Sequence, residues 1–171
     1  MASNSGVKTD APNKKTRGHR LRILLQSLAA GCFILIVFMV SDLLGCGAVA
    51  ASVGASTMIV FAYPNAESSR CRYLIGGYAT ACAAGFLCNR ALYVTPIEIL
   101  PLPPYILISA LAVFLTVLLM VILDFQHPPA AALTIIITLS DKPVTALVQA
   151  LVCILLLSGI KFVLRKRLTN L

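Results

Sequence analysis

The chain has 171 residues, 59% hydrophobic and 12% charged, with a mean hydropathy of +0.93 and a net charge of +8. That balance excludes an ordinary soluble domain and points to a polytopic membrane protein. The positive charge does not mark a nucleic-acid binder, because the basic residues form no stripe interleaved with aromatics. They gather instead at the two ends: Lys8, Lys14, Lys15, Arg17, Arg20 and Arg22 precede the first apolar run, and Lys161, Arg165, Lys166 and Arg167 close the last. Such flanks belong on the cytoplasmic side, so both termini are expected there, with an even number of crossings of a bacterial inner membrane.

Residues 1–20 are polar and basic without apolar periodicity, and are expected to form a disordered cytoplasmic tail. The first full-length span covers residues 21–40. Residues 47–62 form a shorter apolar segment with Gly47, Ala51 and Ala55 at four-residue spacing, a pattern that packs against protein rather than lipid. Tyr63, Pro64 and Asn65 end it, and residues 67–72 form an exposed polar loop. A third helix over residues 73–88 offers Gly77, Ala81 and Gly85 as a close-approach face. The six cysteines, Cys32, Cys46, Cys71, Cys82, Cys88 and Cys153, show no C-x-x-C spacing, so neither a disulfide framework nor a zinc site is expected.

Residues 90–104 contain Pro96, Pro101, Pro103 and Pro104 and are expected to be an extended connector. The connector divides one transmembrane domain, residues 21–165, into halves of 21–89 and 105–165, followed by a cytoplasmic end at 166–171. The second half repeats the first in kind, with a span ending at Asp124, a short helix at 128–139, a turn at Asp141-Lys142-Pro143 and a final span. Asp42 then pairs with Asp124, and Pro64 with Pro143. The fold class is an all-α bundle of two three-segment repeats, inverted if each half crosses three times. A helix over 128–139 rises about 18 Å, short of a hydrocarbon core of about 30 Å. Four crossings with re-entrant short segments and six crossings both fit this; six suits an inverted repeat.

The stretch from Asp124 through His127, Pro128 and Pro129 to Ala132 breaks the chain between two apolar runs. Proline fits a first helical turn, so a new helix starting at Pro128 leaves the amides of Ala130, Ala131 and Ala132 to attract an anion. His127 is suited to binding that anion, to relaying a proton, or to fixing the break by bonding a carbonyl. Asp124 is its possible partner or an interfacial end-marker. Gly54, Ser56 and Thr134 lie on the two short segments and join the candidate binding set, with Asp124 and Arg72 as candidates for relaying a proton or supporting the site.

His127-Pro128-Pro129 in this setting resembles the HPP family of integral membrane proteins. Ala51 to Ser56 is similar to that family's small-residue stretch, and Arg72 with Gly76-Gly77 to its entry into the following helix. Two positions depart from the pattern: Ala131 stands where a glycine is common, and Tyr78 where a histidine often follows the glycine pair. The resemblance implies a transporter, and for the chloroplast and cyanobacterial members nitrite as substrate. No phosphate loop, nucleophile elbow or paired intramembrane carboxylates are present in the sequence, so an enzyme is not expected. The expected protein moves a small inorganic anion, uses no cofactor, and assembles as a homo-oligomer in the bilayer. The competing expectation is a membrane-embedded sensor or assembly subunit without transport.

Overall fold

The structure, a computed structural model, describes residues 14–94, 102–165 and 167–170. Every regular element among them is helical: α1 (Lys14–Leu43), α2 (Gly47–Ala62), a 3-10 turn (Glu67–Ser69), α3 (Cys71–Val94), α4 (Pro104–Ile122), α5 (Pro128–Thr138) and α6 (Pro143–Leu164). Proline stands in the first turn of α4, α5 and α6, where its missing amide hydrogen costs nothing.

Three of the expected boundaries are corrected: residues 71–72, placed in the exposed loop, open α3, and Ser69 of that loop is fully buried. Residues 14–20, placed in the tail, are the first turns of α1, and residues 90–94, placed in the connector, continue α3. Residues 1–13 of that tail and 95–101 of that connector lie outside the described residues.

Contacts sort the segment ends into two groups. At one, the break end, the 3-10 turn, residues 124–128 and the end of α6 come together: His127 bonds the Ser68 carbonyl, and Lys161 Nζ bonds the carbonyl and hydroxyl of Ser69. At the other, the turn end, the α1–α2 turn shares a cleft with the α5–α6 turn, and Asn89 Nδ2 donates to the carbonyls of Thr138 (2.9 Å) and Ser140 (3.0 Å). Each of the six helices joins one end to the other, in alternating direction. Each short helix therefore starts at one end of the bundle and finishes at the other.

The helices form two layers. α1, α2, α5 and α4 stand in a row, with α6 and α3 packed behind the two short helices. Val49, Val53, Val60, Leu74, Leu133, Ile137, Ile154 and Leu157 fill the space between the layers and are fully buried. Leu24, Leu28 and Met39 of α1, Phe114 and Val121 of α4, and Leu155 and Val163 of α6 face outward. An apolar exterior of this kind suits hydrocarbon rather than water. By length and composition, residues 18–44, α4 and α6 are able to cross a membrane. The chain is an integral membrane protein.

The close-approach face expected on α3 is found, whereas the small-residue face of α2 points away from the rest of the chain. The Gly77 and Gly85 face of α3 is used inside the chain: a Cβ on Gly77 would stand 2.6 Å from His127 Cβ, and one on Gly85 2.9 Å from the Thr134 carbonyl oxygen. Gly47, Ala51 and Ala55 of α2, expected to meet protein, face outward.

Candidate functional site

The site begins with how α4 stops. Phe125 N bonds Met120 O (2.9 Å) and Asp124 N bonds Val121 O (3.4 Å), with Asp124 left-handed at φ 56°. This is a Schellman ending, which usually takes glycine because a side chain there crowds the backbone. Asp124 is held in it by two partners, since its carboxylate pairs with Arg72 at 3.4 Å and accepts from Tyr73 Oη at 3.4 Å. The pairing of Asp124 with His127, one of the two alternatives for this residue, is not made.

Phe125 and His127 then run extended across α3. A Cβ on Gly76 would lie 2.4 Å from the Phe125 ring, and the Gly77 backbone abuts the Phe125 carbonyl and His127 Cβ. The adjacent glycines form a bed into which this segment presses, and any side chain would lift it out. Arg72 covers the other face of the Phe125 ring at 5.5 Å.

His127 is fully buried and both ring nitrogens are engaged. Nδ1 lies 2.9 Å from the Ser68 carbonyl, which only accepts, so Nδ1 carries the hydrogen. In the neutral ring Nε2 then accepts from the Ser56 hydroxyl at 2.8 Å. Ser56 Oγ also lies 2.9 Å from Tyr78 Oη, which is 3.1 Å from Ser52 Oγ, and Ser52 donates to the Pro129 carbonyl at 2.7 Å. Three elements, the 3-10 turn, α2 and α3, are thus tied to the histidine and to the first turn of α5. Of the three readings of His127, the geometry supplies the carbonyl-bonded one that fixes the break.

The other candidate residues divide. Ser56 and Pro129 belong to this cluster, and Pro128 lines an adjoining cleft of about 430 Å³ with Ile59, Glu67, Ser68, Tyr73, Asp124 and Gln126. Ala130 is buried with its amide bonded to the His127 carbonyl at 3.0 Å, so it is not free for an anion. Ala131 is half-buried on the outward side of α5. Gly54 does not join the site: it faces α1, where a Cβ would meet Ile34 at 3.4 Å. Thr134 lies further along α5, its hydroxyl 2.8 Å from that of Thr116 on α4. Thr138 donates to the Thr134 carbonyl at 2.8 Å, and Asn89 caps the row at the turn end.

A model of the transmembrane region of HPP proteins matches residues 15–170, nearly all of the chain. The chain belongs to the HPP family. No match was found among curated proteins or among solved structures. In this HPP protein the signature tripeptide is a structural clip as well as a helix start: histidine binds two other elements, the first proline lines the cleft, and the second offers its carbonyl to Ser52. Sequence reasoning passed over Ser52 as a clip residue, Ser68, and Tyr78, which entered only as a departure from the family pattern. The one usable signal was the pair Gly76-Gly77, which asks for a backbone or ring to lie against it.

Proposed function

We propose that this HPP protein moves a small inorganic anion across a bacterial inner membrane, nitrite being the first candidate by its resemblance to the chloroplast and cyanobacterial members. The observation that carries this reading is a row of buried polar side chains along α5. Ser52 and Ser56 sit at the break end, Thr116, Thr134 and Thr138 in the middle, and Asn89 at the turn end; all are buried. At the break end His127, bonded to Ser56, also bonds Ser68, which lines the cleft beside Asp124, and at the turn end Asn89 bonds Ser140, which lines a second cleft of about 460 Å³ beside Asp141 and Lys142. Polar groups at membrane depth are costly, and they persist where a solute or ion passes.

In this reading the structure is the sealed state, because the hydroxyls along α5 bond one another and backbone carbonyls. Opening exchanges some of those bonds for bonds to the solute, with α2 and α5 shifting as the two short helices of inverted halves. Cytoplasmic termini follow from the basic flanks, and the protein acts as a transporter without cofactor rather than as an enzyme.

The test is flux into proteoliposomes loaded with a panel of anions, wild type against Thr116→Val with Thr134→Val. Saturable nitrite uptake, reduced in the double variant while its melting temperature holds, is the expected result. No saturable flux of any anion would overturn the reading in favour of a non-transporting membrane subunit.

A further inference from the structure

The strip between α1 and α4 differs from the rest of the outer surface. It consists of the outward sides of α2 (Ala48, Ala51, Ala55, Met58) and α5 (Pro128, Ala132, Ile135). On either side stand long apolar side chains such as Leu35 and Ile36 of α1 and Phe114 and Val117 of α4.

Its apolar belt is too short for a bilayer. α2 has 16 residues and α5 has 11, about 24 Å and about 16 Å of helix against a core of about 30 Å. Both ends of the strip open into polar clefts, one lined by Glu67, Tyr73, Asp124 and Gln126, the other by Ser140, Asp141 and Lys142. The flanking helices, of 30 and 19 residues, have no such deficit. Lipid laid against the strip would have to thin sharply or accept carboxylates and amides in hydrocarbon.

The charges at the break end come in self-complementary sets. Arg70 lies 3.6 Å from Glu67 and Arg72 lies 3.4 Å from Asp124, with all four side chains more than half exposed.

We propose that this strip is the interface with a second copy of the chain, related by a two-fold axis along the membrane normal. Copies inserted in the same direction place equal depths opposite each other, so cleft meets cleft and alanine meets alanine. Any other covering partner would need an equally short apolar belt at the same depth. Small side chains let the paired backbones approach closely, and a two-fold contact presents one surface to itself. Each copy brings both signs of charge to the break end, so arginines of one face carboxylates of the other. The two facing clefts close into one vestibule that a single copy leaves open to lipid.

The test is disulfide trapping in native membranes, in a background with the six native cysteines replaced by serine. A single cysteine at Ala55 or at Ala132 is expected to give a covalent dimer on oxidation. Cysteines at Leu28 of α1, Val117 of α4 and Ala83 of α3, all exposed, are expected to give none. Mass measurement in nanodiscs is expected to find two chains for wild type and for Ala83→Trp, and loss of the dimer for Ala55→Trp combined with Ala132→Trp. Trapping at Ala83 or Val117 in place of Ala55 and Ala132, or a single chain for wild type, would overturn the proposal. Should the tryptophan variant not fold, the cysteine pattern decides alone. No solute enters either measurement, so a failure here leaves the transport reading standing, and the reverse holds too.

Discussion

α1 and α4 stop in the same way and diverge within one residue of doing so. At the end of α1, Cys46 N bonds Ser41 O (2.9 Å) and Gly45 N bonds Asp42 O (3.0 Å), with Gly45 at φ 68°. At the end of α4 the same pair of bonds closes around Asp124. After Gly45 a helix restarts at once, with Gly47 meeting nothing within 4 Å. After Asp124 the chain instead stays extended through His127, pressed onto two glycines and tied into a buried cluster. One ending is a plain turn, while the other is a turn riveted to its surroundings. The difference lies in the side chains and glycines that receive the break rather than in the geometry of the ending.

The sharpest way to break this contrast is to lift the rivet. Gly77→Ala is expected to cost about 2–3 kcal/mol, since its Cβ would collide with His127 Cβ and the Phe125 carbonyl with little room to move. Gly47→Ala, at the plain turn, is expected to be neutral. Thermal melting of the two variants in detergent compares them directly, and equal midpoints would show that the break yields easily.

A comparable effect is expected from the histidine. His127→Ala leaves the Ser68 carbonyl and the Ser56 hydroxyl without their partner in a buried place, a loss of about 2–3 kcal/mol. Cys46→Ala, two residues short of equivalent in depth of engagement, removes only a weak thiol contact to the Leu44 carbonyl at 3.8 Å and is expected to cost under about 1 kcal/mol. Similar melting shifts for the two would remove the special standing of the break.

The smallest effects test the shared ending itself. Gly45→Ala is expected to cost about 1 kcal/mol, because its φ is left-handed. Asp124→Gly relieves the same strain but loses an exposed ion pair worth about 0–1 kcal/mol, so its melting point is expected to stay near that of wild type. A large fall would mean that the carboxylate bonds to Arg72 and Tyr73 matter more than the backbone.

Much of the fold was legible in the sequence. The α2 boundaries fell where glycine and Tyr63-Pro64 placed them, and the start of α5 at Pro128 followed from proline chemistry. The early start of α1 was missed because a basic stretch carries no apolar period, and helix hydrogen bonding propagates through it once the span is formed. Matching Asp42 to Asp124 compares residue types, whereas the residue that holds Asp124's place in the ending of α1 is Gly45, which shares a conformation and not a chemistry. The site was half legible: the break and its histidine stood out, but its receivers lie far along the chain, with Ser56 71 positions from His127. Spacing within one helix carries no trace of such a partner. Gly54 failed for a related reason, since an α2 glycine serves whichever neighbour lies on its side, and that neighbour is α1.

Gln26 of α1 donates to the Phe61 carbonyl at 2.6 Å and to the Thr169 carbonyl at 3.0 Å, while the Thr169 hydroxyl returns a bond to its Oε1. Bonds across 143 positions have a consequence for biosynthesis. Ribosomes deliver the first helix long before the last, so an inserting α1 carries an amide whose final partner does not yet exist. Until Thr169 emerges, that amide lacks one of its partners on an otherwise apolar helix, and docking of the segment after α6 supplies it.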